Sequence, residues 1–485
     1  MTVTPHAGSV DDPDRSFGYA PELKRTLTSF QMFAISFASV SVVIGIFGTY
    51  DDVLQSSGPV GIWLFPVVAV GQVLVALVYA QFAARIPLSG SSYQWASRLA
   101  NPRIGWLFGW LVVWNVGLST VTIDNALASQ CLMPLLGMAP DEGIARVITV
   151  LLLVVQAVMV IVSVRIVGWT NSLAVGVELA IVVLLGIALV VTVLLTGDGS
   201  TDTLFSPGIA AGDPRYFAIG GGLAAAMIMG MSTLVGFEAS ANMAEEAKDP
   251  FRTVPRAIVG SVVVAAVLGM LFVVALTVSI TDIDRVSQSG AAVAQILTDQ
   301  FGPAVERPLL LVIALAFFAA ALAAMAATSR IVFAMSRDER FPAHGLFRRV
   351  GRRTRTPIPA TLLVLVLGVV LMAVVPGAAL LQLILTGAIL MFLPYGMTIV
   401  LYLSVRSRLD RREGAWDLGR WEMPVAVAAL LWVVVALVIA IATSPSAGPL
   451  LIVTGLILVG GVYLAYLLMF RRHVLRTPRS GADPE

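Results

Sequence analysis

The chain has 485 residues, of which 58% are hydrophobic and 12% charged, with a mean hydropathy of +0.91 and a formal net charge of +2. Soluble domains carry about 25% charged residues, so this composition excludes a water-soluble globular protein and defines an all-α polytopic membrane protein. The single cysteine, Cys131, excludes an internal disulfide. Neither of the two lysines, Lys24 and Lys248, follows a Gly-x-x-x-x-Gly, which excludes a phosphate-binding loop of the Walker type. His6, His344 and His473 fall in tails or loops, so no zinc site, other metal site or cofactor is expected.

Residues 1–29 are polar, with no apolar core and no small-residue cleavage site, and read as a cytoplasmic tail rather than a secretory signal. Apolar windows of about 18–28 residues then place twelve membrane spans. The first five are near 30–50, 60–84, 104–132, 144–165 and 171–196. The next five are near 217–244, 255–279, 305–334, 358–375 and 379–404. A cytoplasmic loop at 405–422 precedes two accessory spans within 423–470, and 471–485 form a second tail. With the N-terminus inside, 27 of the 31 Lys and Arg residues fall on the cytoplasmic side. Excess Lys and Arg mark cytoplasmic loops, so both termini are expected in the cytoplasm. The Arg349–Arg355 run reads as a cytoplasmic anchor and not a nucleic-acid patch.

Span 1 carries Ser36-Phe-Ala-Ser-Val-Ser-Val-Val-Ile-Gly-Ile-Phe-Gly-Thr-Tyr50, with a helix break expected at Gly45–Gly48. Span 6 carries Met231-Ser-Thr-Leu-Val-Gly-Phe-Glu-Ala-Ser240, with a break expected at Gly236 beside Glu238. A step of five spans reverses the direction of entry, so the pattern implies two inverted five-span repeats, 30–196 and 217–404, with spans 11 and 12 appended. Interrupted helices of this kind are where membrane carriers hold substrates and ions. Peptide groups freed at such a break cost several kcal/mol unless protein, water or ligand satisfies them. The outer half of span 1 directs N–H groups and a positive dipole end at the midplane, which suits an anionic group. The outer half of span 6 ends in carbonyls, which suit an ammonium group or a cation. Either each glycine marks a functional break or it merely permits close helix packing; for Gly45 alone packing is the preferred reading, for Gly236 the break.

The expected substrate-binding residues are Ser41, Val43, Ile44, Gly45, Ile46 and Phe47 on span 1, Asn115 and Ser119 on span 3, and Leu234, Val235, Gly236 and Phe237 on span 6. Carboxylates at membrane depth are functional by default. Glu238 is the deepest and is expected to couple a proton or cation, the alternative being a structural hydrogen bond or ion pair. Glu178 on span 5 is either a second proton site or a vestibule residue. Asp124 is about 20 residues along span 3, or ~30 Å at 1.5 Å per residue, which places it near the outer surface.

Four stretches carry a likeness to a known family. They are Arg85-Ile-Pro-Leu-Ser-Gly-Ser-Ser-Tyr-Gln-Trp-Ala96, Gly236-Phe-Glu-Ala239 with Glu245-Glu-Ala-Lys-Asp-Pro-Phe-Arg-Thr-Val-Pro-Arg256, Thr328-Ser-Arg330 with Met335-Ser-Arg-Asp338, and the Gly45-Ile-Phe47 element. The chain resembles the amino acid–polyamine–organocation superfamily, within it the amino acid/choline (GABA permease-like) group. The resemblance implies a LeuT-like fold and a plasma-membrane permease for amino acids or related amines, working by proton symport with alternating access. It implies a gating or proton-coupling role for Glu238. Glu178 falls where some proton-coupled relatives have a lysine, and Thr328 and Ser329 match the opposite side of a cation site, so sodium coupling through Glu178, Thr328 and Ser329 stays open beside exchange. Val43-Ile-Gly-Ile-Phe47 lacks a serine and a glycine of the family's Gly-Ser-Gly-Ile-Phe pattern, which leans toward GABA, choline-like or other amine cargo. A non-transporting substrate sensor is the reading from another class; an enzyme is not expected, since no catalytic Ser/His, His/His or paired-aspartate arrangement appears in the spans.

Overall fold

In the computed structural model the described residues are 27–475, apart from 88–90, 163, 352–353, 355, 376 and 410–413. Residues 1–26 and 476–485 of the two terminal tails expected from the sequence, and 88–90 of the Arg85–Ala96 motif, lie outside them. The chain is helical throughout the described residues, and its only β-type pairing is an isolated bridge between Leu27 and Ala247. Eleven helical stretches are long and apolar enough to cross a bilayer, and Ile358–Val374 is a shorter apolar helix of 17 residues. Among the described residues eleven of the twelve expected spans thus coincide with helical stretches of crossing length, and the ninth with the shorter helix. The short one occupies the lower limit of the ~17–25 residues a crossing needs.

The first span divides into α1 (Ser29–Val40) and α2 (Val42–Ser57). Then come α3 (Leu64–Arg85), a loop helix α4 (Ser91–Leu99), and α5 (Pro102–Ala126). A π-helical turn, Leu127–Leu132, carries α5 to the expected end of the third span. The series continues with α6 (Glu142–Val162) and α7 (Val164–Thr196). The sixth span is a short helix α8 (Met227–Thr233), an irregular stretch at Leu234–Gly236, and a 3₁₀ segment, Phe237–Glu246. Its expected first residues, 217–221, are turns instead. After α9 (Pro250–Val278), the loop helices α10 (Ile283–Ser287) and α11 (Ala292–Phe301) were not foreseen. The chain closes with α12 (Pro303–Arg337), α13 (Ile358–Val374), α14 (Ala379–Val405), α15 (Glu422–Ala442) and α16 (Gly448–Phe470).

The interior is assembled around α9, which packs on α3 and α1, and around α5, which packs on α12 and α14. The accessory helices are joined to this body by polar contacts as well as apolar ones. The guanidinium of Arg85, at the end of α3, lies 2.9 Å from Glu422 at the start of α15. The hydroxyl of Tyr402 on α14 donates to the other oxygen of Glu422 at 2.7 Å. Both charged residues are buried, Arg85 at 8% exposure and Glu422 at 2%. On α16, the carbonyl of Leu456 accepts from the Trp110 indole of α5 at 2.9 Å.

Candidate functional site

The two interrupted spans meet in the middle of the bundle. In the first, the interruption falls at Ser41, whose φ of 44° and ψ of 75° are left-handed. The helix runs without a break through Gly45, so the expected position of the break is corrected by four residues. The local sequence accounts for this. Ser41 is followed by the β-branched run Val42-Val43-Ile44, and serine and β-branched residues are weaker helix formers than alanine or leucine. Gly45 serves the packing alternative: a Cβ there would come within 2.2 Å of Thr233 Oγ1 and 2.6 Å of Thr233 Cα. Its missing side chain lets α2 and α8 touch.

In the sixth span the break is at Gly236, as expected. Its φ is 85°, and a Cβ would meet the carbonyl oxygen of Ser39 at 2.7 Å, so glycine is required both for conformation and for approach to α1. The four half-elements thus form two pairs. One pair is α2 with α8, in contact at Gly45 and Thr233. The other is α1 with the 3₁₀ segment. Here the Ser36 hydroxyl donates to the Phe237 carbonyl at 2.7 Å, lies 2.7 Å from the Ser240 hydroxyl, and accepts the Ser240 N–H at 3.2 Å. The bridge at Leu27 continues this pair, with Leu27 N–H bonded to Glu246 O at 2.9 Å and Lys248 N–H to Leu27 O at 3.1 Å.

Each break leaves peptide groups bare. At the start of α2 the N–H of Val43 is taken by Glu178 Oε1 of α7 at 3.3 Å, and the Ser41 side chain lies beside the same carboxylate. At the end of α8 the N–H of Leu234 still reaches Gly230 O at 3.0 Å. Among the described residues nothing donates to the carbonyls of Thr233, Leu234 and Val235. The Gly236 N–H donates to the Tyr395 hydroxyl at 3.1 Å, and that hydroxyl donates to Glu238 Oε2 at 2.9 Å. Tyr395 thereby ties the break in the sixth span to its acid.

The Tyr395 ring stacks on Phe237 with centroids 5.1 Å apart and meets Tyr79 edge-on at 5.4 Å. Tyr79 is held in turn by Ser92 at 2.9 Å and Thr398 at 3.0 Å. Ser41, Ile44, Val235, Gly236 and Glu238 retain partial exposure, so the breaks open onto accessible space. Val43, Ile46, Phe47, Leu234 and Phe237 are fully buried, backbone and side chain alike.

The remaining expected residues make no side-chain hydrogen bond to the two breaks among the described residues. Phe47 packs between Phe272 and Phe317, each with centroids 6.4 Å away. The Asn115 amide donates to the Met391 sulfur at 3.1 Å, and Ser119 donates to Asn115 O at 2.9 Å, which puts both on the side of α5 facing α14. Thr328 donates back to Ala324 O at 2.8 Å and Ser329 to Ala326 O at 2.9 Å. The Thr328 methyl is 3.3 Å from where a Cβ on Gly117 would stand. Neither hydroxyl is hydrogen-bonded to Glu178. Asp124 is fully buried within the bundle, accepting from Gln156 at 2.7 Å. Among the described residues no group of His, Cys, Asp and Glu is placed to hold a metal ion.

Sequence reasoning missed Tyr395 and Tyr79. A signal for Tyr395 exists in Pro394-Tyr395, a proline and a phenol side by side in the middle of an apolar run.

A helical bundle crossed by two broken spans, with a partly exposed acid and unclaimed peptide groups at their meeting point, is the architecture of a membrane carrier. The profile of the amino acid permease family matches residues 27–463. The chain belongs to that family, and so to the amino acid–polyamine–organocation superfamily; it is a permease for amino acids and not an enzyme. It is 26% identical over 457 residues to the amino-acid permease BAT1 of Arabidopsis thaliana, covering 87% of this chain and 86% of that one. It is 27% identical over 377 residues to the branched-chain amino acid permease BcaP of Lactococcus lactis, covering 74% and 76%. It is 27% identical over 376 residues to a GABA-specific permease of Saccharomyces cerevisiae, covering 73% and 65%.

Proposed function

We propose that the chain is a proton-coupled symporter that carries an amino acid or related amine across the plasma membrane by alternating access, with both termini in the cytoplasm. Its core is read as two inverted five-helix repeats with α15 and α16 appended. The observation that carries this reading is the Tyr395 bridge from the Gly236 peptide to Glu238, which joins a titratable group directly to the backbone of a broken span. The pairing of half-elements supports it too. If α2 with α8 and α1 with the 3₁₀ segment move as separate units, opening one side of the junction does not require opening the other.

In this scheme cargo sits between the start of α2 at Ser41–Ile44 and the unclaimed carbonyls of Thr233, Leu234 and Val235. A proton on Glu238 weakens or redirects the Tyr395 contact and biases the two orientations. Moving a two-state carrier from 1:99 to 99:1 takes about 5.5 kcal/mol of differential binding, of which a bond to an ionised acceptor supplies about 1.5–3 kcal/mol. Glu178 bonds the α2 backbone while Thr328 and Ser329 bond their own helix, an arrangement that favours proton over sodium coupling.

The test is reconstitution into liposomes with an imposed proton gradient. Glu238→Gln is expected to abolish proton-driven accumulation of a transported amino acid while counterflow persists. Full accumulation by the variant, or accumulation in the wild type driven by sodium alone, would refute the assignment.

A further inference from the structure

The N-terminus of α2 is where a cargo carboxylate would be received, since its first peptide N–H groups have no helical partners and its dipole is positive there. That place is already taken. Glu178, only 9% exposed, reaches across from α7 and accepts the Val43 N–H at 3.3 Å. The opposite terminus is in the reverse condition, with the carbonyls of Thr233, Leu234 and Val235 unclaimed and Glu238 four residues beyond Leu234. No Lys, Arg or His occurs in 29–57 or 227–246. Among the described residues neither Glu178 nor Glu238 forms a salt bridge. The junction therefore offers hydrogen-bond acceptors in excess, and the Val43 N–H is already held by Glu178.

Resting on the carrier reading above, we propose that Glu178 is a specificity-determining residue: a resident carboxylate that holds the α2 terminus and so selects cargo whose ammonium group has no carboxylate beside it. An α-amino acid places its carboxylate two bonds from its nitrogen. With the ammonium on the α8 carbonyls, that carboxylate has to displace Glu178 or stand next to it. An ω-amino acid, or an amine without a carboxylate, avoids this conflict, and its cationic end is complemented by the α8 carbonyls and Glu238. The penalty on a cargo carboxylate beside the ammonium thus depends on whether Glu178 is a carboxylate or an amide.

The test uses purified full-length protein and compounds that differ only in this respect: 2-aminobutyrate against its isomer 4-aminobutyrate, and leucine against isoamylamine. Equilibrium binding and counterflow in liposomes are read for each. The wild type is expected to bind the second member of each pair at least tenfold more tightly. Glu178→Gln is expected to narrow that gap at least tenfold by strengthening the first member. Tighter binding of 2-aminobutyrate and leucine by the wild type would overturn the proposal, as would a gap unchanged in a variant that elutes as folded protein. Should Glu178→Gln not fold, the wild-type pairs decide alone. If none of the four compounds binds or exchanges while another amino acid does, the selectivity argument fails and the carrier reading stands. If no solute is exchanged at all, the carrier reading itself fails.

Discussion

Replacing Tyr395 by Phe removes one oxygen atom and keeps the ring, so the stacking on Phe237 and the edge contact with Tyr79 survive. Two hydrogen bonds are lost. The one to Glu238 at 2.9 Å is to a carboxylate and contributes about 1.5–3 kcal/mol; the one from Gly236 at 3.1 Å is between neutral groups and contributes about 0.5–1.5 kcal/mol. Their sum is about 2–4 kcal/mol. For a chain this long, each kcal/mol lowers the unfolding temperature by roughly 1–2 °C, so detergent-solubilised Tyr395→Phe is expected to melt several degrees below the wild type. The larger consequence is for transport. If the relay exists in only one orientation of the carrier, losing about 2–4 kcal/mol displaces the equilibrium between orientations by roughly 30- to several hundred-fold. Uptake driven by a proton gradient should fall by at least tenfold, while the amount of protein in the membrane stays the same. A Tyr395→Phe protein with wild-type melting and wild-type uptake would show that the relay is incidental, and the coupling scheme built on it would have to be dropped.

Gly236→Ala adds a Cβ 2.7 Å from the Ser39 carbonyl oxygen at a left-handed residue; left-handed φ alone costs about 1–2 kcal/mol, so loss of uptake with reduced thermal stability is expected. Uptake at the wild-type level would contradict the tight seating of the 3₁₀ segment on α1. Ser36→Ala breaks the link to Phe237 and Ser240, at about 1–3 kcal/mol for the groups left unpaired. It should make the Leu27–Ser36 region more accessible to cysteine labelling, and unchanged labelling would refute that. Arg85→Ala removes the nearer of two guanidinium groups from the buried Glu422, Arg406 being the other at 3.8 Å, and should cost up to about 3–5 kcal/mol. Arg85→Met combined with Glu422→Leu should recover most of the loss in a thermal-unfolding assay, and failure to recover would show that the pair does more than neutralise itself.

The membrane class, the helical spans and the Gly236 break were legible because each follows from composition or from one residue with a unique conformational role. The break in the first span was misplaced because glycine has two uses. At Gly236 it permits a left-handed φ; at Gly45 it permits the approach of Thr233, and a pattern of letters does not separate the two. Ser41 adopts its unusual φ only because the Glu178 contact with Val43 and the packing around it hold it there. Pro394-Tyr395 marks the phenol as unusual in its apolar run, but its partners, Gly236 and Glu238, are more than 150 residues away, and nothing in the local run of α14 announces them. Asp124 was placed by counting rise along a helix, which gives depth but not which neighbours surround a side chain.

The seam between Arg85, Tyr402 and Glu422 bears on how this chain can be shortened. α15 and α16 stand apart from the broken spans and invite removal in a search for a minimal carrier. A fragment ending at Val405 would leave the Arg85 guanidinium at the end of α3 without Glu422 and Asp417, with the Tyr402 hydroxyl equally bare. The last two helices are thus the counter-ion of the body they flank, and a shortened carrier has to be redesigned at residue 85 before it can be cut.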